Sequence, residues 1–119
     1  MTKNQLKTVV ITGGSSGIGL DTARVLLESP SFRVVLIGRE RGKLENAAIS
    51  LGEGVSQRVS IIACDLSKSS QIESAIKRLQ GDFKAIYGLI NNAGVYPFGG
   101  ATTTTEKIWD QTFDINLKA

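Results

Sequence analysis

Histidine is absent from this sequence of 119 residues, and cysteine occurs once, at Cys64. Without histidine the chain lacks the commonest general base and the usual Cys/His zinc spacings, so we predict no metal site and exclude Ser-His-Asp and Cys-His catalysis. A single cysteine cannot form an intramolecular disulfide, which favours a reducing, cytoplasmic location. No apolar run approaches the roughly 20 residues that cross a bilayer. The first five residues lead into a predicted core strand rather than a signal peptide, so we expect no membrane partner.

Charge of one sign is not in large excess either. The net charge is +3, and the chain is 41% hydrophobic and 21% charged, as in ordinary globular domains. Basic residues are spread along the chain except for Arg39, Arg41 and Lys43, so we predict no nucleic-acid partner. The length allows one domain over residues 1–119. Because the chain stops at residues 116–119 within a helical pattern and without a capping residue, we expect that domain to be truncated at its C-terminus.

Four short β-rich runs alternate with longer segments of helical periodicity. The predicted strands are residues 8–11, 33–37, 59–63 and 86–90. Such alternation indicates parallel strands joined by right-handed crossovers. We therefore predict an α/β fold, a doubly wound parallel sheet of the Rossmann type with strand order 3-2-1-4. Ligands of such sheets bind at the carboxyl ends of the strands, here between the first and fourth.

The segments between the strands predict three helices. The first ends near Pro30, where proline prevents its continuation. The second is predicted over residues 40–51 and the third over residues 67–80, with Ser67 as N-cap and Gly81 as the residue after its end. The first helix is expected to place five apolar residues on or near one face, Ile18, Ala23, Val25, Leu26 and Leu27.

A glycine-rich turn, Thr12-Gly-Gly-Ser-Ser-Gly-Ile-Gly19, directly follows the first predicted strand. Gly13 permits a tight exit from the strand, Gly17 lets the backbone approach a phosphate, and Gly19 lets helix and sheet pack closely. The start of the following helix supplies N–H groups and positive dipole charge. This arrangement predicts nucleotide binding. Ser15 and Ser16 either add hydroxyl donors or only solvate the turn.

Three motifs together resemble the signatures of the short-chain dehydrogenase/reductase family. They are Thr12-Gly-x-x-x-Gly17-x-Gly19, Asn91-Asn92-Ala93-Gly94 and Asn116, in this order. The resemblance spans the whole chain but only about the first half of a typical member. It implies a nicotinamide cofactor, cofactor contacts along the turn that include Ile18, and hydride transfer to or from a small-molecule carbonyl or alcohol.

The resemblance also implies roles for residues beyond the turn. Asp65 would meet the adenine amino group with the Leu66 backbone beside it, although an Asx turn before Ser67 is the alternative. The first asparagine of the second motif would tie the fourth strand to its neighbours. The backbone that follows, at Asn92, Ala93 and Gly94, would approach the adenosine ribose, unless this segment is an ordinary turn. Asn116 would be the catalytic residue within the chain, helping to hold a water-linked proton relay.

The residues after the second predicted strand bear on the type of cofactor. An acidic residue at Gly38 would accept hydrogen bonds from the adenosine ribose, which glycine cannot do. Arg39 would instead pair with a 2′-phosphate, with Arg41 or Lys43 adding positive field, so we predict NADP(H) in preference to NAD(H). A solvated helix start is the alternative. Ser16 also departs from the basic residue that many NADP-using members carry there.

The family's catalytic pair, Tyr-x-x-x-Lys, is missing from the chain. Four positions after Tyr87 and Tyr96 stand Asn91 and Gly100. Because that tyrosine is the family's proton donor, we predict that the chain alone is inactive. The alternatives are a nucleotide-binding module without catalysis, or one half of a split enzyme. An apolar fourth strand left at a sheet edge counts against the module. The sequence does not identify the substrate beyond this class, and the full-length form could be a homo-oligomer.

Overall fold

A four-stranded parallel sheet forms the centre of the computed structural model, which describes residues 6–94, 105–107 and 110. The strands are β1 (Lys7–Thr12), β2 (Phe32–Gly38), β3 (Val59–Ala63) and β4 (Gly88–Ile90). Their order is β3-β2-β1-β4, and the pairings are all parallel. The predicted doubly wound α/β fold and its strand order are thus confirmed.

Three α-helices join the strands: α1 (Gly17–Leu27), α2 (Arg41–Ser50) and α3 (Ser69–Asp82). A 3-10 helix, Glu53–Arg58, precedes β3 and was not predicted. Within the described part of the chain, no helix is both long and apolar enough to cross a membrane.

The central strands β1 and β2 are buried on both faces, which explains why they read as apolar runs. On one face, α1 and α2 pack against the sheet. That cluster contains Val9, Ile11, Ala23, Leu27, Val34, Leu36, Leu44 and Ala47. On the other face, Val10, Val35, Ile37, Ile62, Cys64 and Ala75 form a second cluster, with Ala75 contributed by α3. The two clusters hold the strands in one register, so their carboxyl ends lie along a common edge.

The buried stripe of α1 is narrower than predicted. Gly19, Ala23 and Leu27 are buried, whereas Ile18 and Val25 are 77% and 64% exposed. The buried residues are spaced by four and lie on one line of the helix. At 3.6 residues per turn, Ile18 and Val25 lie about 100° or more around the helix from that line. The expectation that both lie on the core face was therefore wrong.

The ends of α3 also differ from the prediction. Lys68, not Ser67, is the N-cap residue, and Gly81 lies inside the helix, which ends with Phe83 as its C-cap. The Ser67 hydroxyl donates instead to the Asp65 carboxylate, at 2.7 Å. The Ser67 N–H also donates to Asp65 Oδ1, at 3.0 Å, so Ser67 belongs to an Asx turn that precedes the helix.

Strand β4 is shorter than the predicted run of residues 86–90, although the Tyr87 N–H still donates to the Thr8 carbonyl at 2.8 Å. It pairs with β1 on one side. Leu89 is 58% exposed, although its register partner Val10 is buried. The described part of β4 therefore leaves an apolar side chain uncovered at the sheet edge.

Candidate nucleotide-binding site

A cleft lies at the carboxyl ends of the strands. Its lining residues follow or end each of the four strands, and they are Gly13, Ser15, Ile37, Gly38, Arg39, Cys64, Asp65, Leu66, Ala93 and Gly94. Seven of them belong to the predicted cofactor contacts. The other predicted contacts in the described chain adjoin the cleft through the glycine-rich turn, and they are Ser16, Gly17, Ile18, Gly19 and Asn92. The topology of parallel sheets places ligands at such a point.

Two glycines of the turn have backbone conformations that other residues rarely adopt. Gly13 has φ +65° and Gly17 has φ +57°. Gly13 reverses the chain as it leaves β1, and the next N–H, that of Gly14, donates to the Ile37 carbonyl at 3.3 Å. The turn is therefore fixed to the end of β2 as well as to β1.

Gly19 is required for close packing, as predicted, but mainly against the turn itself. A Cβ at this position would collide with the carbonyl oxygen of Gly13 and would lie 2.7 Å from the Asn92 side-chain nitrogen. Neither group is the flexible end of a long side chain. The first turn of α1 can therefore contact the end of β1 only because this residue has no side chain.

The space in front of Gly17 is open, and this is the clearest match to a phosphate ligand. A Cβ there would meet no atom within 4 Å. The first backbone hydrogen bond of α1 is donated by Leu20 to Ser16, at 3.3 Å. The N–H groups of Gly17, Ile18 and Gly19 therefore have no acceptor within the helix. The Ser16 side chain makes no cap hydrogen bond. A helix start with free N–H groups and open space fits a phosphate.

Thr12 connects β1 to β4, a role that the sequence motif did not indicate. Its side chain is buried, and its hydroxyl oxygen accepts hydrogen bonds from the N–H groups of Asn92 and Ala93, each at 3.0 Å. The hydroxyl also donates to the Ile90 carbonyl at 3.4 Å. One side chain thus fixes where the backbone leaves β4.

Asn92 makes the second contact between β4 and the glycine-rich turn. Its side-chain nitrogen donates to the Gly13 carbonyl at 3.1 Å. The resemblance implies that Asn91 joins the fourth strand to its neighbours. Within the described residues, the side-chain hydrogen bond from this segment to the glycine-rich turn is made by Asn92. Asn92 and Thr12 therefore hold the two backbone walls of the cleft together.

At the end of β2, the cation Arg39 lines the cleft together with Asp65. Arg39 is exposed and makes no ion pair with any described residue. The two cations that follow are paired: Arg41 Nε lies 3.2 Å from Glu45, and Lys43 Nζ lies 2.8 Å from Glu40. The field expected from Arg41 and Lys43 is therefore offset by carboxylates. Arg39 has no ion pair among the described residues, and Lys68 and Lys107 border the adjoining pocket.

Gly38 is the last residue of β2, at the position where an acidic side chain would bond a ribose hydroxyl. A Cβ here would approach Leu44 Cδ2 to 3.1 Å. Leu44 is fully buried against the sheet. The packing of α2 on β2 therefore disfavours a larger residue at this position.

Asp65 forms the Asx turn that was the alternative to adenine contact. Its Oδ1 accepts hydrogen bonds from the Ser67 hydroxyl at 2.7 Å and the Ser67 N–H at 3.0 Å. These bonds lower the pKa of the Asp65 carboxyl, and the charges of Lys68 and Arg39 lower it further. Oδ2 has no hydrogen-bond partner in the described chain. An ionised oxygen facing the cleft can still accept a bond from a ligand amino group.

Cys64 lines the cleft but is only 2% exposed. Burial raises the pKa of its thiol, and the negative charge of Asp65 raises it further. Its N–H donates to the Gly38 carbonyl at 2.8 Å, which joins the ends of β3 and β2. The thiol is thus a protonated, buried group in the wall of the cleft rather than a nucleophile.

Asn116, the predicted catalytic residue, lies outside the described residues. The described residues contain no cluster of histidine, cysteine, aspartate or glutamate side chains able to hold a metal.

Comparison with known proteins agrees with this geometry. The sequence profile of the family described as short chain dehydrogenase matches residues 7–119. An uncharacterized oxidoreductase of Staphylococcus saprophyticus is 37% identical over 94% of this chain and 44% of its own length. Short-chain dehydrogenase reductase 3b of Arabidopsis thaliana is 34% identical over 94% of this chain and 42% of its own.

Two solved structures are similar over nearly all of this chain. A metagenomic short-chain oxidoreductase in complex with NADP is 34% identical, with a TM-score of 0.85 over 94% of this chain and 50% of that one. The L-sorbose reductase of Gluconobacter frateurii, complexed with NADPH and L-sorbose, is 28% identical, with a TM-score of 0.85 over 97% of this chain and 43% of that one. The chain thus spans half or less of the length of these relatives. It belongs to the short-chain dehydrogenase family.

Proposed function

We propose that this chain is the cofactor-binding part of an oxidoreductase that transfers hydride between NADP(H) and a small-molecule carbonyl or alcohol. The observation that carries the proposal is the cleft itself. It lies beside the open helix start at Gly17 and is lined by Arg39, which has no ion pair among the described residues. A dinucleotide with a 2′-phosphate has negative charge at two such separated positions.

Each wall of the cleft has a proposed ligand group. The N–H groups at the start of α1 bind the pyrophosphate, with Ile18 exposed beside them. The free Oδ2 of Asp65 accepts a bond from the adenine amino group, and the Leu66 backbone lies alongside. The backbone at Asn92, Ala93 and Gly94 passes close to the ribose, where Thr12 and Asn92 hold it.

The preference for NADP(H) over NAD(H) rests on the end of β2. Gly38 offers no carboxylate to a ribose hydroxyl, and Arg39 presents a planar donor fork to a phosphate. Two similar structures were solved with NADP or NADPH, which supports the same choice.

The cofactor supplies the hydride, and the residues of this chain bind and orient it. The proton donor of the family is absent from the sequence, so we propose that the chain alone does not turn over a substrate. The role of Asn116 in a proton relay, a homo-oligomeric full-length form and a cytoplasmic location stay predictions.

Replacement of Arg39 tests the cofactor assignment. Arg39→Ala should weaken NADPH binding by about 10- to 100-fold, since a charged hydrogen bond contributes roughly 1.5 to 3 kcal/mol. NADH binding should change little, because NADH has no 2′-phosphate. Calorimetric titration of the wild-type chain and the variant with both cofactors measures this. Equal losses for the two cofactors would contradict the role of Arg39, and no binding by the wild-type chain would contradict the proposed function.

The predicted inactivity has a simple assay. The chain incubated with NADPH and a panel of aldehydes and ketones should leave the NADPH absorbance unchanged. A reductase of the family from another source, assayed with one of its own substrates, is the positive control. Oxidation of NADPH by the purified chain would show that another group replaces the missing tyrosine.

A further inference from the structure

Five charged residues follow β2 within seven positions, and their pairing is selective. Lys43 bonds Glu40 and Arg41 bonds Glu45, both across the first turns of α2, while Arg39 has no ion pair among the described residues. Glu40 lies next to Arg39 in sequence. A carboxylate at this position is an anion that competes with a 2′-phosphate for the guanidinium.

The Glu40 carboxylate could cap α2, pair with Lys43 or pair with Arg39, and it pairs with Lys43. As the N-cap residue of α2 it makes no side-chain cap hydrogen bond. Its Oε2 lies 2.8 Å from Lys43 Nζ instead. The bond and charge of Lys43 lower the pKa of Glu40 most, and the charge of Arg39 lowers it slightly further. The carboxylate therefore already feels the field of Arg39 while it is held by Lys43.

We propose that Lys43 determines cofactor selectivity by holding the Glu40 carboxylate away from Arg39, which leaves the guanidinium free for a 2′-phosphate. The inference rests on the proposed function. Lys43 is thus a positioning residue that acts through Glu40, not a phosphate ligand. Removing its charge releases Glu40 toward Arg39.

Substitution of Lys43 by methionine keeps most of the aliphatic stem and removes the charge. Lys43→Met should weaken NADPH binding by about two- to fivefold, the range expected for an exposed ion pair. NADH binding should stay the same, and a general loss of folding would weaken both cofactors alike. The ratio of the two dissociation constants, measured on the whole chain, is the readout.

A double variant separates the two ways in which Lys43 can act. If Lys43 works through Glu40, then Glu40→Gln in the Lys43→Met background restores the ratio to the wild-type value, because no carboxylate is left to compete. If Lys43 acts only through net charge, Glu45→Gln in the Lys43→Met background restores the ratio as well as Glu40→Gln does, and the proposal is overturned. An unchanged ratio in Lys43→Met also overturns it.

Arg41→Met is the matched control, because it removes the same charge from the same helix turn but releases Glu45 instead. It should change the ratio less than Lys43→Met does. Equal effects of the two variants would show that charge number, not the position of Glu40, sets selectivity, and a larger effect of Arg41→Met would also overturn the proposal. A second pocket beside Arg39 is lined by the carboxylates of Asp65, Glu106 and Asp110 and by the ammonium groups of Lys68 and Lys107. The Glu40→Gln rescue identifies which carboxylate matters. If the wild-type chain binds neither cofactor, the proposed function falls and this inference with it.

Discussion

The two halves of the cleft are built in different ways. On the side of β1 and β4, the wall is backbone, held by buried groups such as the Thr12 hydroxyl and by glycines that tolerate no side chain. On the side of β2 and β3, the charged groups are exposed side chains, and Glu40 and Asp65 bond other surface residues. The fold depends on the buried contacts of the first half, and it depends little on the exposed side chains of the second. Substitutions should therefore affect stability in the first half and selectivity in the second.

Gly19→Ala should have the largest effect. The new Cβ collides with the Gly13 carbonyl and crowds Asn92, so the variant should unfold about 1 to 3 kcal/mol more easily and lose binding of both cofactors. Gly81→Ala is the control, because Gly81 also lies in a helix but has open space around it. That variant should be equal to or more stable than wild type. Urea unfolding of both variants measures the difference, and similar curves would break the comparison.

Thr12→Val should have the next largest effect. Valine has the shape of threonine but leaves the N–H groups of Asn92 and Ala93 without their buried acceptor, at a cost of about 1 to 3 kcal/mol. Thr12→Ser keeps the hydroxyl and should lose much less. Both cofactors should bind more weakly to Thr12→Val, in the same proportion. A selective loss of NADPH would mean that this half also senses the 2′-phosphate.

Ser67→Ala should have the smallest effect and leave the fold intact. Hydrogen bonds from Ser67 are the main reason that the Asp65 pKa is low, so the variant should raise that pKa, as measured by NMR titration of the carboxyl. Ser74→Ala removes a hydroxyl from α3 that bonds Ser70 instead, and it should leave the Asp65 pKa unchanged.

The hydrogen bond between Ser67 and Asp65 also predicts how the stability of the fold depends on pH. A pKa that is lower in the folded than in the unfolded state stabilises the fold above the unfolded value, near 3.9 for aspartate. That stability is lost as the pH falls through the lower, folded value. Ser67→Ala should therefore reduce the stability difference between neutral and strongly acidic solution. An unchanged difference would show that the Ser67 hydroxyl adds nothing to the stability.

The sequence predicted the backbone half of the site better than the charged half. Continuous apolar runs identify strands buried on both faces, and glycines at fixed spacing after the first strand indicate the turn. Both signals follow from burial and sterics, which act over short stretches of chain. The strand order followed from the alternation of strands and helices.

The details that were missed depend on choices between partners of similar strength. Ser67 bonds Asp65 rather than the helix N–H groups, and Lys43 bonds Glu40 rather than adding to the field around Arg39. Residue spacing does not determine which of these partners a side chain takes. Ile18 was assigned to the core face because apolar residues usually lie there, whereas it is exposed beside the free N–H groups of α1.

Amide chemical shifts of the chain, titrated in parallel with NADPH and NADH, test the division of the site most directly. Both cofactors should shift the amides of Gly17, Ile18 and Gly19, because the pyrophosphate is common to the two. Only NADPH should shift Arg39 and Glu40. Equal shifts at Arg39 with both cofactors, or none at Gly17 with either, would contradict a backbone site for the pyrophosphate and a charged site for the 2′-phosphate.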